Sequence, residues 1–358
     1  MTSEKQFSRL APSFLPATAV LEMTYKCNHS CIFCSCPWFG GNFKVYKEMS
    51  VAQWQKYIKM LCSMGVCNIA FTGGEPLLKK GILELIEFAA NCVTEHIETE
   101  NSLLVSKIAP PNLYLLSNGK AMTEDVLKIC AKYSVNLSMS LPGLSTLKKH
   151  TRWGNKNNIL KWFAKAKEFD VSTTVGITVT KQNIFELYET ISEALLAGAD
   201  NLLLNRFMPG GRGLKHSKEL MLNKEEIVRM LDTAEEVLKI SSRWGSVGTE
   251  IPKCIFDTNK YTQLKVGTRC SAAMDFFVID PSGYIRVCNH SQQRLNHISE
   301  INELKNNPYW KRFVFKDYMP SECYDCKQNR VCDAGCRETA HIVNGELNSL
   351  DPVFEGHI

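Results

Sequence analysis

Three cysteines within eight residues are the feature that most constrains how this chain of 358 residues can fold. Cys27, Cys31 and Cys34 form a C-x₃-C-x₂-C run that directly follows Ala17–Met23, an apolar stretch typical of a strand. Three thiolates can hold three corners of a [4Fe–4S] cube and leave the fourth iron open to an outside ligand. Zinc is the alternative metal, although it usually takes four protein ligands from paired C-x₂-C knuckles.

A glycine-rich turn follows about forty residues later. The predicted strand Asn68–Phe71 leads into Thr72-Gly73-Gly74-Glu75-Pro76, where the glycines let a ligand approach the backbone and Glu75 supplies a carboxylate for an ammonium group. By itself the turn is an ordinary strand-to-helix connection. With the cysteine run, and with Phe33 just before its last cysteine, it resembles the radical SAM superfamily. The resemblance implies a [4Fe–4S] cluster on the three cysteines, S-adenosylmethionine (SAM) on its fourth iron, and Glu75 on the amino group of SAM.

Further strands continue the pattern and alternate with helix-like stretches such as Val51–Met64. Polar groups collect at successive strand ends, as they do at one rim of a parallel α/β barrel. We therefore predict an α/β fold with a partial (β/α)₆ TIM-like barrel. The resemblance places Ser117, Asn118 and Ser140 near the ribose of SAM. Arg206 is a candidate partner of the SAM carboxylate or, equally, a structural arginine. The remaining predicted strands are Asn112–Leu116, Val135–Ser140, Thr173–Val179 and Asn201–Phe207.

A second cysteine group lies near the C-terminus. Cys270 is followed after twelve residues by Gly283 and after four more by Cys288, and Cys323-x₂-Cys326-x₅-Cys332-x₃-Cys336 comes later. This spacing resembles the SPASM extension of radical SAM peptide maturases, a small cysteine-rich domain with auxiliary iron–sulfur clusters. The resemblance assigns Cys254, Cys270, Cys288 and Cys336 to the first auxiliary cluster and Cys323, Cys326 and Cys332 to the second. Between Cys270 and Cys288, the segment Phe276–Val287 carries the pattern of a β-hairpin around Asp280-Pro281-Ser282-Gly283.

One ligand of that pattern is missing, because no cysteine occurs in 337–358. The fourth ligand of the second auxiliary cluster is left open among Asp351, His341, Glu355 and His357. An open iron, or the absence of that cluster, is also compatible with the sequence, as is a zinc site on the late cysteines. We therefore predict one or two auxiliary [4Fe–4S] clusters.

Five cysteines belong to neither motif. Cys62, Cys67, Cys92 and Cys130 stand in helical or strand-edge contexts, where a free cysteine behaves as a small buried hydrophobe. Cys36 lies beside the first cysteine run. It is a candidate hydrogen donor to a substrate radical, with loop packing as the alternative.

Charge and hydropathy limit the partners and the location. The formal net charge is only +5 and no basic run with interleaved aromatics occurs, which gives no support for nucleic-acid binding. No signal segment begins the sequence and no apolar run is long enough to span a membrane. We expect a reducing, cytoplasmic location.

Four segments are predicted along the chain: an N-terminal segment 1–16, the barrel 17–220, a linker helix 221–250 and the SPASM domain 251–358. The barrel's end is marked by the glycine-rich run Met208–Gly213, which a charged helix, Asn223–Ile240, follows. A plain interdomain linker explains this run as well as any functional role does.

The function implied by the resemblance is that of a radical SAM/SPASM maturase. Such an enzyme generates a 5′-deoxyadenosyl radical and abstracts hydrogen from a ribosomally synthesised peptide, here with an oxidative thioether or C–C crosslink expected, and takes electrons from a flavodoxin or ferredoxin. Peptide epimerisation and the modification of a tetrapyrrole or another small molecule are the alternatives. Asn289 follows Cys288 where sulfatase maturases carry an aspartate, which disfavours formylglycine formation. A non-catalytic iron–sulfur electron carrier is the alternative from outside the enzymes.

Overall fold

The computed structural model describes residues 14–41, 43–100 and 103–354, so residues 1–13 of the predicted N-terminal segment lie outside it. The strands are β1 Thr18–Glu22, β2 Asn68–Thr72, β3 Thr94–Glu100, β4 Leu103–Ala109, β5 Asn112–Ser117, β6 Asn136–Ser140, β7 Thr173–Val179, β8 Asn201–Arg206, β9 Trp244–Val247, β10 Leu264–Val266, β11 Phe276–Ile279 and β12 Ile285–Arg286. The α-helices are α1 Val51–Ser63, α2 Ile82–Ala90, α3 Glu124–Lys132, α4 Leu147–Thr151, α5 Lys156–Glu168, α6 Leu187–Leu196, α7 Ser217–Leu220, α8 Lys224–Ser241, α9 Pro308–Val314 and α10 Arg337–Asn344.

One large sheet organises the described residues, with strand order β10-β9-β8-β7-β6-β5-β2-β1-β11-β12. Its neighbouring strands run parallel except for the antiparallel pair β11–β12. The six strands β1, β2, β5, β6, β7 and β8 coincide, within a residue or two, with those predicted. The partial parallel barrel is therefore confirmed. Because all six are parallel, their C-terminal ends meet at one rim, where the predicted polar residues lie.

Of the other described strands, four extend this sheet and two form a separate one. The sequence pattern predicted only β11 and β12 among them. Strands β9 and β10 continue it beyond β8. The pair β3–β4 forms a separate hairpin, with Ile97 and Ile108 exposed. The predicted hairpin between Cys270 and Cys288 is present as β11–β12, and β11 pairs in parallel with β1, with Thr18 opposite Phe276. The cysteine-rich C-terminal part thus continues the barrel sheet.

Two of the longer helices begin at side chains that cap them. Ser50 and Gln53 form a capping box before α1, and Asn223 and Glu226 form another before α8. One face of α1 is buried, with Trp54 fully enclosed in the core. Both helices lie within one residue of their predicted bounds. In the described ranges, no helix combines the length and the apolar character that a membrane crossing needs.

Two buried ion pairs tie the barrel to the C-terminal part. Glu22, at the end of β1, pairs with Arg286 of β12, and neither side chain is more than 3% exposed. Arg206, at the end of β8, pairs with the fully buried Asp351, with Nη1 2.9 Å from Oδ1. Arg286 Nη1 also donates to the carbonyl of Ser291, at 2.7 Å. Buried charges are tolerated only when they are paired and hydrogen-bonded, so these contacts fix the relative position of the joined segments.

Substituting Glu22→Gln is expected to destabilise the protein, because it leaves the Arg286 guanidinium buried without a counter-charge. Breaking a buried pair on one side typically costs about 3–5 kcal/mol. The midpoint of urea unfolding, followed by circular dichroism on anaerobically purified protein, measures the change.

Lys128→Met is the matched control, since it breaks the exposed ion pair between Lys128 and Asp125. Exposed pairs contribute little, so this variant should unfold at the wild-type midpoint. Equal midpoints for Glu22→Gln and Lys128→Met would show that the buried pair does not hold the two parts together.

Candidate functional site

The first cysteine run forms a loop at the C-terminal rim, directly after β1. Cys27, Cys31 and Cys34 are all partly accessible. A turn closes its second half, where the Cys34 amide donates to the Cys31 carbonyl at 3.3 Å. The amide of Ile32 donates to the carbonyl of His150 at 2.9 Å, which anchors the loop to α4. The three thiols are thus presented together, half-buried and within reach of a small molecule.

The electrostatics of the loop suit metal-binding thiolates. Burial raises the pKa of Cys27 and of Cys31, so both thiols are neutral until a metal displaces their protons. The His29 amide donates to Cys27 Sγ at 3.4 Å, the kind of N–H···S contact that stabilises a ligating sulfur. Burial, with Lys120 nearby, lowers the pKa of His29 to about 4, and its buried Nε2 has no hydrogen-bond partner among the described residues. Three soft sulfur donors beside a neutral histidine fit an iron–sulfur cluster.

Glu75 connects the glycine turn to the next strand of the rim. Its fully buried carboxylate accepts from Ser117 Oγ and from the Asn118 amide, each at 2.8 Å. Burial raises the pKa of Glu75, while these donors lower it. Asn118 Nδ2 in turn donates to Asn28 Oδ1 at 2.8 Å and lies 3.7 Å from Cys27 Sγ. Three residues that the sequence assigned to SAM therefore form one hydrogen-bonded group next to the first cysteine.

The two glycines of the turn lie in close contact with the backbone that leads into the cysteine loop. Gly73 has φ +136°, and a Cβ there would lie 2.8 Å from the Thr24 carbonyl oxygen. A Cβ on Gly74 would lie 2.2 Å from the Lys26 carbonyl oxygen. The Glu75 amide also donates to that carbonyl, at 2.8 Å. The segment that leads into the cysteine loop therefore lies where side chains of residues 73 and 74 would be, in space that the sequence suggested for a ligand. Only glycine lets the two backbones come this close.

The glycine-rich run after β8 packs against the same cysteine loop from the other side. A Cβ on Gly211, whose φ is +50°, would lie 2.3 Å from the Cys36 carbonyl oxygen. The Gly213 amide donates to the Cys34 carbonyl at 3.0 Å, and Arg212 Nη1 donates to the Cys31 carbonyl at 3.1 Å. The run is therefore more than a linker. Arg212 was not among the predicted site residues, although its position between two glycines was an available signal.

Other predicted SAM contacts are less closely joined to this group. Ser140 is exposed at the end of β6. The ring of Phe33 packs edge-on against the His150 ring, with 5.9 Å between centroids. Arg206 requires a correction: both of its terminal nitrogens bind Asp351, and Nη2 also donates to the Glu250 carbonyl at 3.0 Å. Its charge is thus neutralised inside the protein, which matches the structural alternative rather than a partner for the SAM carboxylate.

Cys36 lies against the cysteine loop. Its thiol lies 3.8 Å from the Gly73 carbonyl, and its hydrogen bond to Cys34 is the largest cause that lowers the pKa of the Cys34 thiol. These contacts are those of a packed loop residue. Among the other cysteines outside the motifs, Cys62 and Cys130 are buried as predicted, whereas Cys67 and Cys92 are only partly buried.

The late cysteines lie in two groups. Cys270, Cys288 and Cys336 are buried, and the thiols of Cys336 and Cys288 are among the neighbours that raise the pKa of Cys270 beyond the effect of burial. Cys323, Cys326 and Cys332 line a separate cavity with Met319 and Phe354. The sequence assigned Cys254 to the first group, but it lines the cavity of the second. The cause is local: the short helix Lys253–Ile255 is held there by the Lys253 amide, which donates to Cys332 Sγ at 3.3 Å.

The candidates for the fourth ligand of the second auxiliary cluster either have other partners or lie outside the residues that the structure describes. Besides its pairing with Arg206, Asp351 accepts from the Cys336 amide at 2.8 Å. His341 Nδ1 contacts the Tyr309 hydroxyl at 3.0 Å and is 3.6 Å from the Glu338 carboxylate. Glu355 and His357 fall outside the described residues. Over those residues, no three His, Cys, Asp or Glu side chains converge closely enough to hold a single metal ion.

Comparison with known proteins identifies the barrel. Residues 21–194 match the profile of the Radical SAM superfamily. The PqqA peptide cyclase of Bradyrhizobium diazoefficiens is 24% identical over 370 aligned positions, which cover 98% of this chain and 88% of the cyclase. The sporulation killing factor maturation protein SkfB of Bacillus subtilis is 25% identical over 292 positions, covering 80% of this chain and 64% of that protein.

A solved structure has the same fold. Streptococcus suis SuiB bound to S-adenosylmethionine superposes with a TM-score of 0.70 at 15% identity, over 95% of this chain and 77% of SuiB. The superposition extends well past the barrel, so the cysteine-rich C-terminal part shares the architecture of that protein as well.

A Gly211→Ala substitution is expected to displace the cysteine loop, because its methyl group would collide with the Cys36 carbonyl. The displaced loop should lose most of its cluster, while Cys323, Cys326 and Cys332, which line a separate cavity, keep theirs. The iron and acid-labile sulfide of anaerobically purified protein, with electron paramagnetic resonance of the reduced cluster, measure the loss.

Gly345→Ala controls for backbone strain, since Gly345 also has a positive φ, +89°, but a Cβ there would meet open space. This variant should keep the wild-type iron content. Should Gly211→Ala keep it too, the proposed support of the loop by the glycine run would be wrong.

Proposed function

We propose that this chain is a radical SAM maturase that modifies a ribosomally synthesised peptide, because residues 21–194 match the profile of that superfamily. The protein is a SAM-dependent enzyme with a [4Fe–4S] cluster. One observation carries the proposal: one chain combines three loop thiols beside the Glu75 network, at a rim of the parallel sheet, with two further cysteine groups in its C-terminal part. The names of two relatives, a peptide cyclase and a killing factor maturation protein, support a peptide as substrate.

We assign the cluster to Cys27, Cys31 and Cys34, and the SAM amino group to Glu75. The three thiols would hold a cluster whose chemistry, when bound, would be one-electron reduction of SAM to methionine and a 5′-deoxyadenosyl radical able to take a hydrogen atom from the substrate. Ser117 and Asn118 hold the Glu75 carboxylate in place through the two bonds described above. The glycine turns hold the loop, so that its thiols keep their positions relative to that carboxylate.

Auxiliary clusters on the late cysteines would accept the electron left on an oxidised substrate, which favours an oxidative crosslink, a thioether or a C–C bond, over epimerisation. The electron donor is proposed to be a flavodoxin or ferredoxin. Because free thiols stay reduced and able to bind iron in a reducing compartment, we propose that the enzyme works in the cytoplasm.

Replacing Glu75 by glutamine should weaken SAM binding about ten- to hundredfold, the usual effect of losing a hydrogen bond to a charged group. The glutamine keeps the shape of the side chain and an acceptor for Ser117. Equilibrium dialysis with SAM, on protein whose cluster content is verified, gives the dissociation constant.

Glu235→Gln is the matched control, because this α8 carboxylate also accepts backbone amides, those of Thr262 and Leu264. It lies on a helix remote from the cysteine loop in sequence, and its loss should leave SAM affinity unchanged. Wild-type affinity in the Glu75→Gln variant would remove Glu75 from the SAM site.

The peptide proposal is tested by anaerobic co-expression with a small peptide encoded beside the gene. The intact mass of that peptide is then measured after incubation in normal and in deuterated water. Loss of two hydrogens is the expected result, because a crosslink removes one hydrogen from each partner.

Other outcomes point elsewhere. An unchanged mass in normal water with one deuterium gained in heavy water would replace crosslinking by epimerisation. No change in either solvent, from protein that cleaves SAM, would overturn the peptide proposal for that candidate and favour a small-molecule substrate such as a tetrapyrrole.

A further inference from the structure

The cavity lined by the last cysteine group contains a thiol that the sequence pattern assigned elsewhere. Cys254, Cys323, Cys326 and Cys332 all line it, together with Met319 and Phe354. Cys254 is open to solvent on one side, yet the shielding of its other side raises the pKa of its thiol, and the neighbouring Cys332 and Cys326 thiols raise that pKa further. We propose that these four cysteines form one complete iron–sulfur site, with Cys254 as the ligand that replaces the absent downstream cysteine.

Backbone hydrogen bonds of this site repeat those of the first cysteine loop. Cys27 Sγ accepts from the amide two residues later, His29, at 3.4 Å. Cys326 and Cys332 do the same, accepting from Gln328 at 3.4 Å and from Ala334 at 3.3 Å. Such bonds neutralise part of the charge of a thiolate bound to iron. Two of the four sulfurs are therefore already in a setting suited to cluster ligation.

The turn between the paired cysteines is also shared. In the first loop the Cys34 amide donates to the Cys31 carbonyl at 3.3 Å, and in the late group the Cys326 amide donates to the Cys323 carbonyl at 3.2 Å. Each C-x₂-C pair thus turns back so that its two side chains leave the same side of the chain. This arrangement presents Cys323 and Cys326 to one cluster.

Cys254 reaches the cavity because two contacts fix the segment before it. The Ile251 amide donates to the Gly267 carbonyl at 3.1 Å, and the Ile251 side chain is fully buried. The Lys253 amide then donates to Cys332 Sγ at 3.3 Å, which gives that sulfur a second N–H donor. The residue next to Cys254 therefore already binds a proposed ligand of the same site.

The number of cysteine thiolates determines which kind of cluster the site can hold. Four thiolates satisfy a [4Fe–4S] cluster without an outside ligand, whereas three would leave one iron open. With Cys254 as the fourth ligand, the second auxiliary cluster needs neither Asp351 nor His341, both of which have other partners. The first auxiliary group retains the three buried thiols of Cys270, Cys288 and Cys336. The inference rests on the proposed auxiliary clusters but not on the peptide substrate.

Iron content in paired variants tests the assignment without any activity measurement. The background carries Ala at Cys27, Cys31 and Cys34, so that the iron which remains belongs to the auxiliary sites. Iron, zinc and acid-labile sulfide are measured per folded chain, with Mössbauer spectra to identify the clusters. Cys254→Ala should remove or alter the same cluster as Cys323→Ala, and the double variant should lose no more iron than the greater single loss.

Combining Cys254→Ala with Cys270→Ala should instead affect both sites, with losses that add. Cys67→Ala, which removes a partly buried thiol outside both groups, should change nothing. Because Cys254 is exposed, its replacement leaves no cavity, and circular dichroism checks that the variants fold. If Cys254→Ala fails to fold, Cys254→Ser keeps an oxygen donor and should retain the cluster with a changed spectrum.

Three results would overturn the inference. In one, Cys254→Ala leaves the iron content and spectra unchanged. In another, its loss is shared with Cys270→Ala and adds to that of Cys323→Ala. In the third, the background protein holds stoichiometric zinc at this site in place of iron.

Discussion

The candidate site depends on a close approach of backbones on both sides of the first cysteine loop. Gly74 faces the Lys26 carbonyl and Gly211 faces the Cys36 carbonyl, at distances where any Cβ would collide. The three thiols lie between these two contacts. A loop with little regular structure of its own is thereby held at fixed positions, which a reaction that depends on geometry requires. The glycines therefore position the cysteines by allowing close backbone packing, in addition to any direct contact that they make with a ligand.

Buried charge extends this order to the rest of the molecule. Glu22 lies at the end of β1, just before the cysteine loop, and its partner Arg286 also holds the carbonyl groups that follow Cys288. In the second pair, Arg206 binds Asp351, which accepts from the Cys336 amide. Each pair joins a strand end of the barrel to a segment carrying late cysteines. The protein loses much stability when one partner of a buried pair is removed. The intact pairs therefore favour a single relative arrangement of the two parts.

The local signals in the sequence predicted the local structure. Six parallel strands, two helices and the hairpin before Cys288 were predicted because periodicity and turn residues act over short distances. The gathering of Glu75, Ser117 and Asn118 followed from strand ends sharing one rim. The sequence could not indicate the ion pair of Arg206 or the cavity that Cys254 lines, because tertiary contacts set both: Asp351 pairs with Arg206, and Cys332 accepts from the amide next to Cys254. Strands β9 and β10 are too short to give a pattern of their own.

The central claim is that Cys27, Cys31 and Cys34 carry the cluster that cleaves SAM. The most direct measurement is the 5′-deoxyadenosine formed from SAM by anaerobically reduced protein, compared with a variant that has Ala at these three positions. The account predicts product from the wild type and none from the variant, which should still contain the iron of its late cysteines. Cleavage by the variant, or none by wild-type protein with its full iron content, would contradict it.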